Sequence, residues 1–459
     1  MEPLNKSDVR NALWDGVFAH MFATLTGGVF LTGFALHLGM HEFEIGLLAS
    51  MPFIVTIFQL PISFFISKNG MRKELASIAA LLARGSWIPI LFFTFFPLVY
   101  LPRSQIILGL IFLSYAFASI SYVTWLSWMS DLIPDEVRGR FFGTRNMFCG
   151  AAGMGSMVIF GYVLDRFNTQ SLTSPQIGFA ITFVMAIAFG VISLIFLKKI
   201  SEPSIASQNF KNGSLLQLAY IPFKEFNFRI FLIYSMLWGF SVHFASPFFT
   251  LYFLRDLRFS FGFVAILGML SALADLIGMQ FWGRISDRVK NKAVLELASW
   301  IAIFIPLAWI IVKPQNVFLP IILHIISGGF WAGINLCTNN LLLRISHQEN
   351  KTFFLSIFHI AAGLGAATGP ILGGLFIKSI TQFDLHVFRW EVLPIQVIFA
   401  ISTLLRLASF QILKHVHEPE ENSVGDIVRI IRSVRGLNMS AGFSALLHPF
   451  VTIEKEQHG

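Results

Sequence analysis

Long apolar runs, each bounded by charge, glycine or proline, fill the chain from Leu13 to about Lys414, and a polar stretch from Lys198 to Arg229 interrupts them near the middle. The stretch is centred near residue 213, the midpoint of the apolar region, so the runs fall into two similar halves. Before it, runs cover roughly 13–36, 45–67, 75–96, 105–128, 143–164 and 176–197; after it, roughly 230–253, 262–283, 293–312, 317–343, 352–377 and 391–413. These runs approach or exceed the ~20 residues that cross about 30 Å of hydrocarbon as a helix, and their cores lack the alternation of a barrel strand. A helix satisfies its own backbone in lipid, so an all-α, polytopic membrane protein is predicted, with 12 transmembrane helices in two six-helix halves. The expected division is residues 1–197, a linker 198–229, a second half 230–414 and a tail 415–459.

Composition agrees. Hydrophobic residues make up 55% of the chain and charged ones 13%, against about 25% in soluble domains. The net charge of +8 raises nucleic acid as a partner, but the placement of the charges gives a simpler account. Of the lysines and arginines, 24 fall on the side of the termini, seven on the other side, and Arg84 and Arg406 lie within runs. That asymmetry predicts both termini to be cytoplasmic and makes a nucleic-acid partner unnecessary. No cleavable signal is expected, because the first twelve residues are polar and the run that follows is long enough to span. A plasma membrane, of the bacterial inner-membrane kind, is the expected location. Cys149 and Cys337 lie inside runs, which argues against a disulfide framework or zinc site. In the tail, Ile427, Ile430, Ile431, Val434 and Leu437 oppose Arg429, Arg432 and Arg435, as in a helix lying on an anionic leaflet; a solvated tail helix is the alternative.

The halves echo one another at spacings of 210 to 219 residues: Ala151-Ala152-Gly153 recurs as Ala361-Ala362-Gly363, Phe141-Phe142 as Phe353-Phe354, and Ile66-Ser67-Lys68 as Ile285-Ser286-Asp287. Two charged segments stand out between runs. One, Asp131 to Arg140, carries Asp-x-x-Pro-x-x-x-Arg-Gly-Arg, where Pro134 breaks the helix and Gly139 permits a tight turn. The other begins Gly283-Arg284-Ile285-Ser286-Asp287-Arg288 and continues with Lys290 and Lys292. Both resemble the cytoplasmic signatures of the major facilitator superfamily, and the resemblance extends over all twelve runs. The first-half copy departs from that pattern, with Ser63 in place of its glycine and Ser67 in place of its acid. The resemblance implies a secondary transporter whose cytoplasmic gate includes Asp131, Arg138, Arg140, Gly283, Asp287 and Arg288. In the eleventh run, Gly365-x-x-x-Gly369-Pro370-x-x-Gly373-Gly374 resembles an exporter pattern of the superfamily, which belongs to the fifth helix and is missing there; close packing is the expected role.

Ionisable groups at membrane depth cost about 3 kcal/mol or more unless they face protein or water. Asp275 lies mid-run on a stripe with Gly268, Ser271, Ala272 and Gly278, and is the candidate for proton coupling, against a structural acid paired with a neighbouring helix. Arg84 is the opposite charge, for Asp275 or within its own half. Asp15 and His20 lie nearer the terminal end, Asp15 as an interfacial charge. Trp331, Asn335 and Asn339 share a helix face with Thr338 and Asn340 alongside; an aromatic plate beside amides suits a neutral polar or sugar-like solute, and interhelical hydrogen bonding is the competing account. By resemblance the first, fourth, seventh and tenth helices surround a central cavity, which adds Thr24, Tyr122, Trp125, Trp238 and His243 as candidate contacts. Arg145 is expected to be a snorkelling anchor, with anion binding the alternative.

An embedded enzyme is disfavoured: His41-Glu42-Phe43-Glu44-Ile45 lacks the second histidine of a zinc protease, and in His417-Glu418-Pro419 the proline would break the helix. No nucleotide-binding Gly-x-x-x-x-Gly-Lys-[Ser/Thr] occurs, and no cofactor, metal or catalytic group is expected. The reading is a monomeric transporter for a small solute in contact with membrane lipids and coupled, through Asp275, to protons. A transporter-like receptor that binds without moving its ligand stays open.

Overall fold

The computed structural model describes residues 6–59, 61–62, 65–66, 71–96, 103–169, 175–203, 220–347, 351–381, 386–387 and 390–418. Ser63 and Ser67 of the first-half motif, and the tail segment 424–437, lie outside the described residues. Eleven described segments are long and apolar enough to cross a membrane. The remaining run starts as helix Glu42–Ile54 and continues as a 3-10 turn, Val55–Phe58, so the expected order of spans is kept.

In the N-terminal half the helices are α1 (Lys6–Leu25), α2 (Gly28–His37), α3 (Glu42–Ile54), α4 (Arg72–Gly85), α5 (Trp87–Phe95), α6 (Arg103–Leu132), α7 (Asp135–Thr169) and α8 (Pro175–Lys198). In the C-terminal half they are α9 (Phe226–His243), α10 (Ser246–Leu251), α11 (Phe261–Val289), α12 (Asn291–Ile310), α13 (Phe318–Ile345), α14 (Lys351–Ile380) and α15 (Pro394–Leu413). Between α14 and α15 two short strands, β1 (His386–Val387) and β2 (Trp390–Glu391), pair antiparallel. Within each half the first span packs on the fifth and sixth and the third on the fourth, which gives two similar bundles.

The spans depart from the sequence reading in two ways. The first and seventh runs, expected to be continuous, are broken. Gly27 is extended and Gly28 has φ +50, a backbone only glycine adopts readily, so α1 stops before α2 begins. In the seventh span Phe244 and Ala245 separate α9 from α10, Pro247 lies in the first turn of α10, and a π turn at Tyr252–Asp256 follows. The second departure concerns the charged segments, which are mostly helix rather than loop. Pro134 ends α6, but only Ile133 and Pro134 separate it from α7, which restarts with Asp135 and Glu136 in its first turn. Gly139 therefore lies inside α7 and makes no turn. Likewise Gly283 to Val289 belong to α11, and the link to α12 is the single residue Lys290 at φ 73.

At the terminal end, each half ties its sixth span back to its first and third by the same device. After α8, Ser201 donates from its backbone N–H (3.0 Å) and hydroxyl (2.5 Å) to the Asp8 carboxylate, and the Arg72 N–H at the start of α4 donates to Glu202 (2.8 Å). After α15, the His417 N–H donates to Asn227 Oδ1 (2.7 Å), and Glu418 accepts from the Lys292 N–H (2.7 Å), Asn291 (3.0 Å) and Arg344 (2.8 Å). Each glutamate thus satisfies orphan amides at a helix start. The echo of Ser201-Glu202 in His417-Glu418, 216 residues later, is a repeat that a reading for zinc motifs passes over.

Glu418 is 2% exposed. Burial by itself would raise its carboxyl, but the Lys292 amide, Asn291 and Arg344 together hold it below the ordinary 4.5. Glu418→Ala is expected to cost about 1–3 kcal/mol and to lower the melting midpoint at neutral pH. A depressed carboxyl contributes in full above 4.5 and loses its contribution as the pH falls through its lower folded value, so the gap between wild type and variant narrows in that window.

Candidate functional site

A cavity of about 280 Å³ lies between the two halves, walled by α1, α7 and α11. From the N-terminal half it takes His20, Thr24, Met154 and Met157; from the C-terminal half, Met269 and Asp275. Glycines make its shape. A Cβ on Gly153 would lie 2.6 Å from the His20 ring and 3.1 Å from the Thr24 hydroxyl, and one on Gly268 would lie 2.6 Å from the Met157 methyl. The Thr24 hydroxyl donates to the His20 carbonyl (2.9 Å), an i to i−4 bond that leaves its oxygen free to accept. Asp275 is half-buried and, among the described residues, has no hydrogen bond or ion pair. The stripe that identified it divides in two: Gly268, Ala272 and Asp275 line the cavity, whereas Gly278 packs on Gly329 and Ala332 of α13, and Ser271 packs on Gly328.

Arg84 does not reach across to Asp275. Its Nη2 donates to Ser193 (2.8 Å), whose hydroxyl donates to Asp15 (2.5 Å), so the charges are resolved inside the N-terminal half. Asp15, expected at the interface, is 4% exposed and belongs to this chain. Arg145 is no snorkelling anchor: its guanidinium lies 4.2 Å from the Trp125 ring centre and its Nε donates to the Ala12 carbonyl (3.3 Å), in the space that Gly16 leaves. The favoured helix face on α13 is only partly assembled. Trp331 and Trp238 approach at 6.3 Å; Asn335 and Asn339 are exposed, and Asn339 donates back to the Asn335 carbonyl (3.0 Å). Trp125 is buried beneath Arg145, Tyr122 is 58% exposed, and neither lines this cavity. His243 sits at the end of α9, with Nδ1 2.8 Å from the Gly239 carbonyl and its ring edge-on to Phe53 of α3 (4.7 Å).

The halves interlock on the side away from the termini. The Asp165 carboxylate, at the end of α7, accepts from the Phe261 and Gly262 N–H groups, both at 2.7 Å, and so caps the start of α11. Arg255 pairs with Glu42 across the halves (2.6 Å) and with Asp256 beside it (3.3 Å). Gly46 leaves no room for a Cβ against the Pro370 carbonyl, and a Cβ on Gly374 would lie 2.6 Å from the Glu42 carbonyl. Of the glycine pattern in α14, Gly365 and Gly369 press on α9, Gly373 on Phe244 and on Phe248 of α10, and Gly374 on the other half; packing is its role. Sequence reasoning missed Glu42, Asp165 and Arg255. Their signal was an acid or base at the very end of an apolar run, which also describes many solvated charges.

Near the termini, Asp131 is paired with Arg72 of its own half (2.6 Å). Arg138 pairs with Asp135 one turn earlier and donates to the Ser130 carbonyl (2.6 Å). Arg140, Asp287 and Arg288 are exposed, and Gly283 faces Leu336 of α13.

The family model described as Major Facilitator Superfamily matches residues 16–343 and 230–452. Among solved structures, the nucleoside transporter NupG is 15% identical with a TM-score of 0.66, over 90% of this chain and 100% of that one. The D-xylose-proton symporter is 14% identical with a TM-score of 0.67, over 91% of this chain and 99% of that one. A bacterial homologue of the iron transporter ferroportin, in an inward-facing state, is 12% identical with a TM-score of 0.64, over 88% of this chain and 97% of that one. No curated protein matches the chain.

The interlock yields a direct test. The cap at Asp165 is worth about 0.5–2 kcal/mol and the half-exposed Arg255–Glu42 pair about 0–1. Asp165→Ala combined with Glu42→Gln is therefore expected to raise the population separated at this end by roughly tenfold, read as a longer distance between spin labels on the facing ends of α7 and α11. Gly46→Leu, which places a side chain against Pro370, is expected to force the same separation; unchanged distances in both variants would refute the interlock.

Proposed function

The chain belongs to the major facilitator superfamily, and we propose that it is a secondary transporter that moves a small solute by alternating access through the cavity between its halves. The observation that carries this reading is a cavity at membrane depth, shared by both halves, with Asp275 and His20 in its walls and, among the described residues, an interlock on the side away from the termini. With 24 of the lysines and arginines on the side of the termini, that side is cytoplasmic, and the interlocked side faces out. The conformation is then inward-facing.

Rocking to the outward-facing state breaks the Asp165 and Glu42 contacts and brings the terminal ends together. Asp131, Arg138, Arg140, Asp287 and Arg288 are the charges that meet there, and Gly283 lets α11 approach. Arg72 holds Asp131 meanwhile, so closing the gate exchanges one partner for another. Trp238, Trp331, Asn335 and Asn339 extend the solute path on the C-terminal side, and His243 and Phe53 meet across the halves at the closed side.

Asp275 couples the cycle to protons. An unpaired carboxylate at this depth is costly when charged, so it is neutral in one access state and releases its proton where water enters. The nucleoside and xylose transporters with this fold make nucleosides and sugars the first solutes to try, and the Trp331 and Asn335 face has the chemistry for a ring bearing hydroxyls.

Binding is read as a rise in melting midpoint, and flux in proteoliposomes with and without a pH gradient. Asp275→Asn is expected to bind solute but to lose the acceleration of uptake by the gradient. Gradient-driven uptake equal to wild type would overturn the coupling role, and bound solute without flux in wild type would favour a receptor.

A further inference from the structure

Arg406 lies within α15 and is 3% exposed. Its Nη1 donates to the Ala302 carbonyl of α12 (2.8 Å), and its Nε has no partner. Around it the junction of α9, α12 and α15 holds other donors in the same condition: the Tyr234 and Ser235 hydroxyls and the Trp238 indole N–H on α9, and the Ser299 hydroxyl on α12. The Tyr234 and Ser299 hydroxyls lie beside each other without hydrogen-bonding geometry. Ser402, one turn from Arg406, donates to the Ser241 carbonyl (2.7 Å), which brings α15 against α9 at this level. The neighbouring acid, Glu296 of α12, is engaged by Lys292 at 3.8 Å.

In the other half the corresponding junction contains a carboxylate as well as a guanidinium, although Arg84 Nη1 has no partner there. Its first, third and sixth spans meet where Arg84 of α4, Ser193 of α8 and Asp15 of α1 join in one hydrogen-bonded chain. The spacing of 219 residues that carries Asp8 to Asn227 carries Asp15 to Tyr234. The spacing of 216 that carries Glu202 to Glu418 carries Ser193 to Ser409 and Gly190 to Arg406. Gly190 is the residue against which the Arg84 side chain lies, 3.0 Å from a Cβ placed there. Each half thus brings one arginine into this junction, Arg84 from the third span and Arg406 from the sixth. What differs is the counter-charge: a carboxylate in the N-terminal half, a phenol in the C-terminal half.

We infer that the C-terminal half binds a small monovalent anion of the halide class beside Arg406, between its guanidinium and the donors of α9 and α12. A buried guanidinium is retained when a charge and an acceptor meet it. The Trp238 indole N–H can only donate, the Tyr234 and Ser299 hydroxyls can turn to donate, and the guanidinium itself disfavours a cation, so the group that suits these neighbours is an anion. Water would satisfy the hydroxyls and leave the charge.

The test uses the full chain in detergent at fixed ionic strength, with gluconate replaced stepwise by chloride. The wild-type melting midpoint is expected to rise by roughly 2 °C for each tenfold increase of chloride above its dissociation constant. Tyr234→Asp, which supplies the internal carboxylate, is expected to melt at the same temperature in both anions. Should that variant fail to fold, Arg406→Met, which removes the charge to be balanced, is expected to show the same insensitivity. A wild-type midpoint indifferent to chloride would overturn the site, and so would a variant that keeps the wild-type rise, because the ion would then bind elsewhere.

Discussion

Within the hydrocarbon layer no water is available to share a charge or to complete a hydrogen bond, and the rest of this structure follows from that constraint. It makes every span a helix, since only a helix closes its own backbone. It bears on where helices break: Phe244-Ala245 interrupt the seventh span where both residues are buried, whereas the break at Gly27-Gly28 in the first span leaves Gly28 exposed. Arginines follow the same rule. Arg84 reaches Asp15 through Ser193, and Arg145 is spread over the Trp125 ring with its Nε on the Ala12 carbonyl.

The two halves meet the constraint by a shared plan with different residues. Both fasten the end of the sixth span to the start of the third with a glutamate, Glu202 or Glu418. Both place a guanidinium at the junction of the first, third and sixth spans, though from different helices.

Between the halves, small residues set how closely the helices approach, and charges set which side is held. Gly46 and Gly374 let α3 and α14 come into backbone contact, and Asp165 and Arg255 then clamp the same side. Such contacts suit a structure with two states. The cap at Asp165 satisfies two amides with one carboxylate, and the Arg255 pair is partly exposed, so neither locks the halves beyond the reach of a solute's binding energy.

The sequence by itself determined the membrane class, the order of the spans and the resemblance to a transporter superfamily, because apolar length and charge asymmetry are summed over many residues and survive local errors. It misjudged what depends on a neighbour. Arg145 and Asp15 resembled interfacial charges because their distance along the chain from a span's end says nothing of the helix packed beside them. The segments around Gly139 and Gly283 resembled loops because glycine and charge permit a turn without requiring one. Which side interlocks, which acid Arg84 meets, and that Thr24 and Asp275 share one cavity while Tyr122 and Trp125 do not, were decided by the tertiary structure alone, since each depends on the rotation of one helix against another, and a lone apolar run encodes little of that rotation when its faces are almost equally hydrophobic.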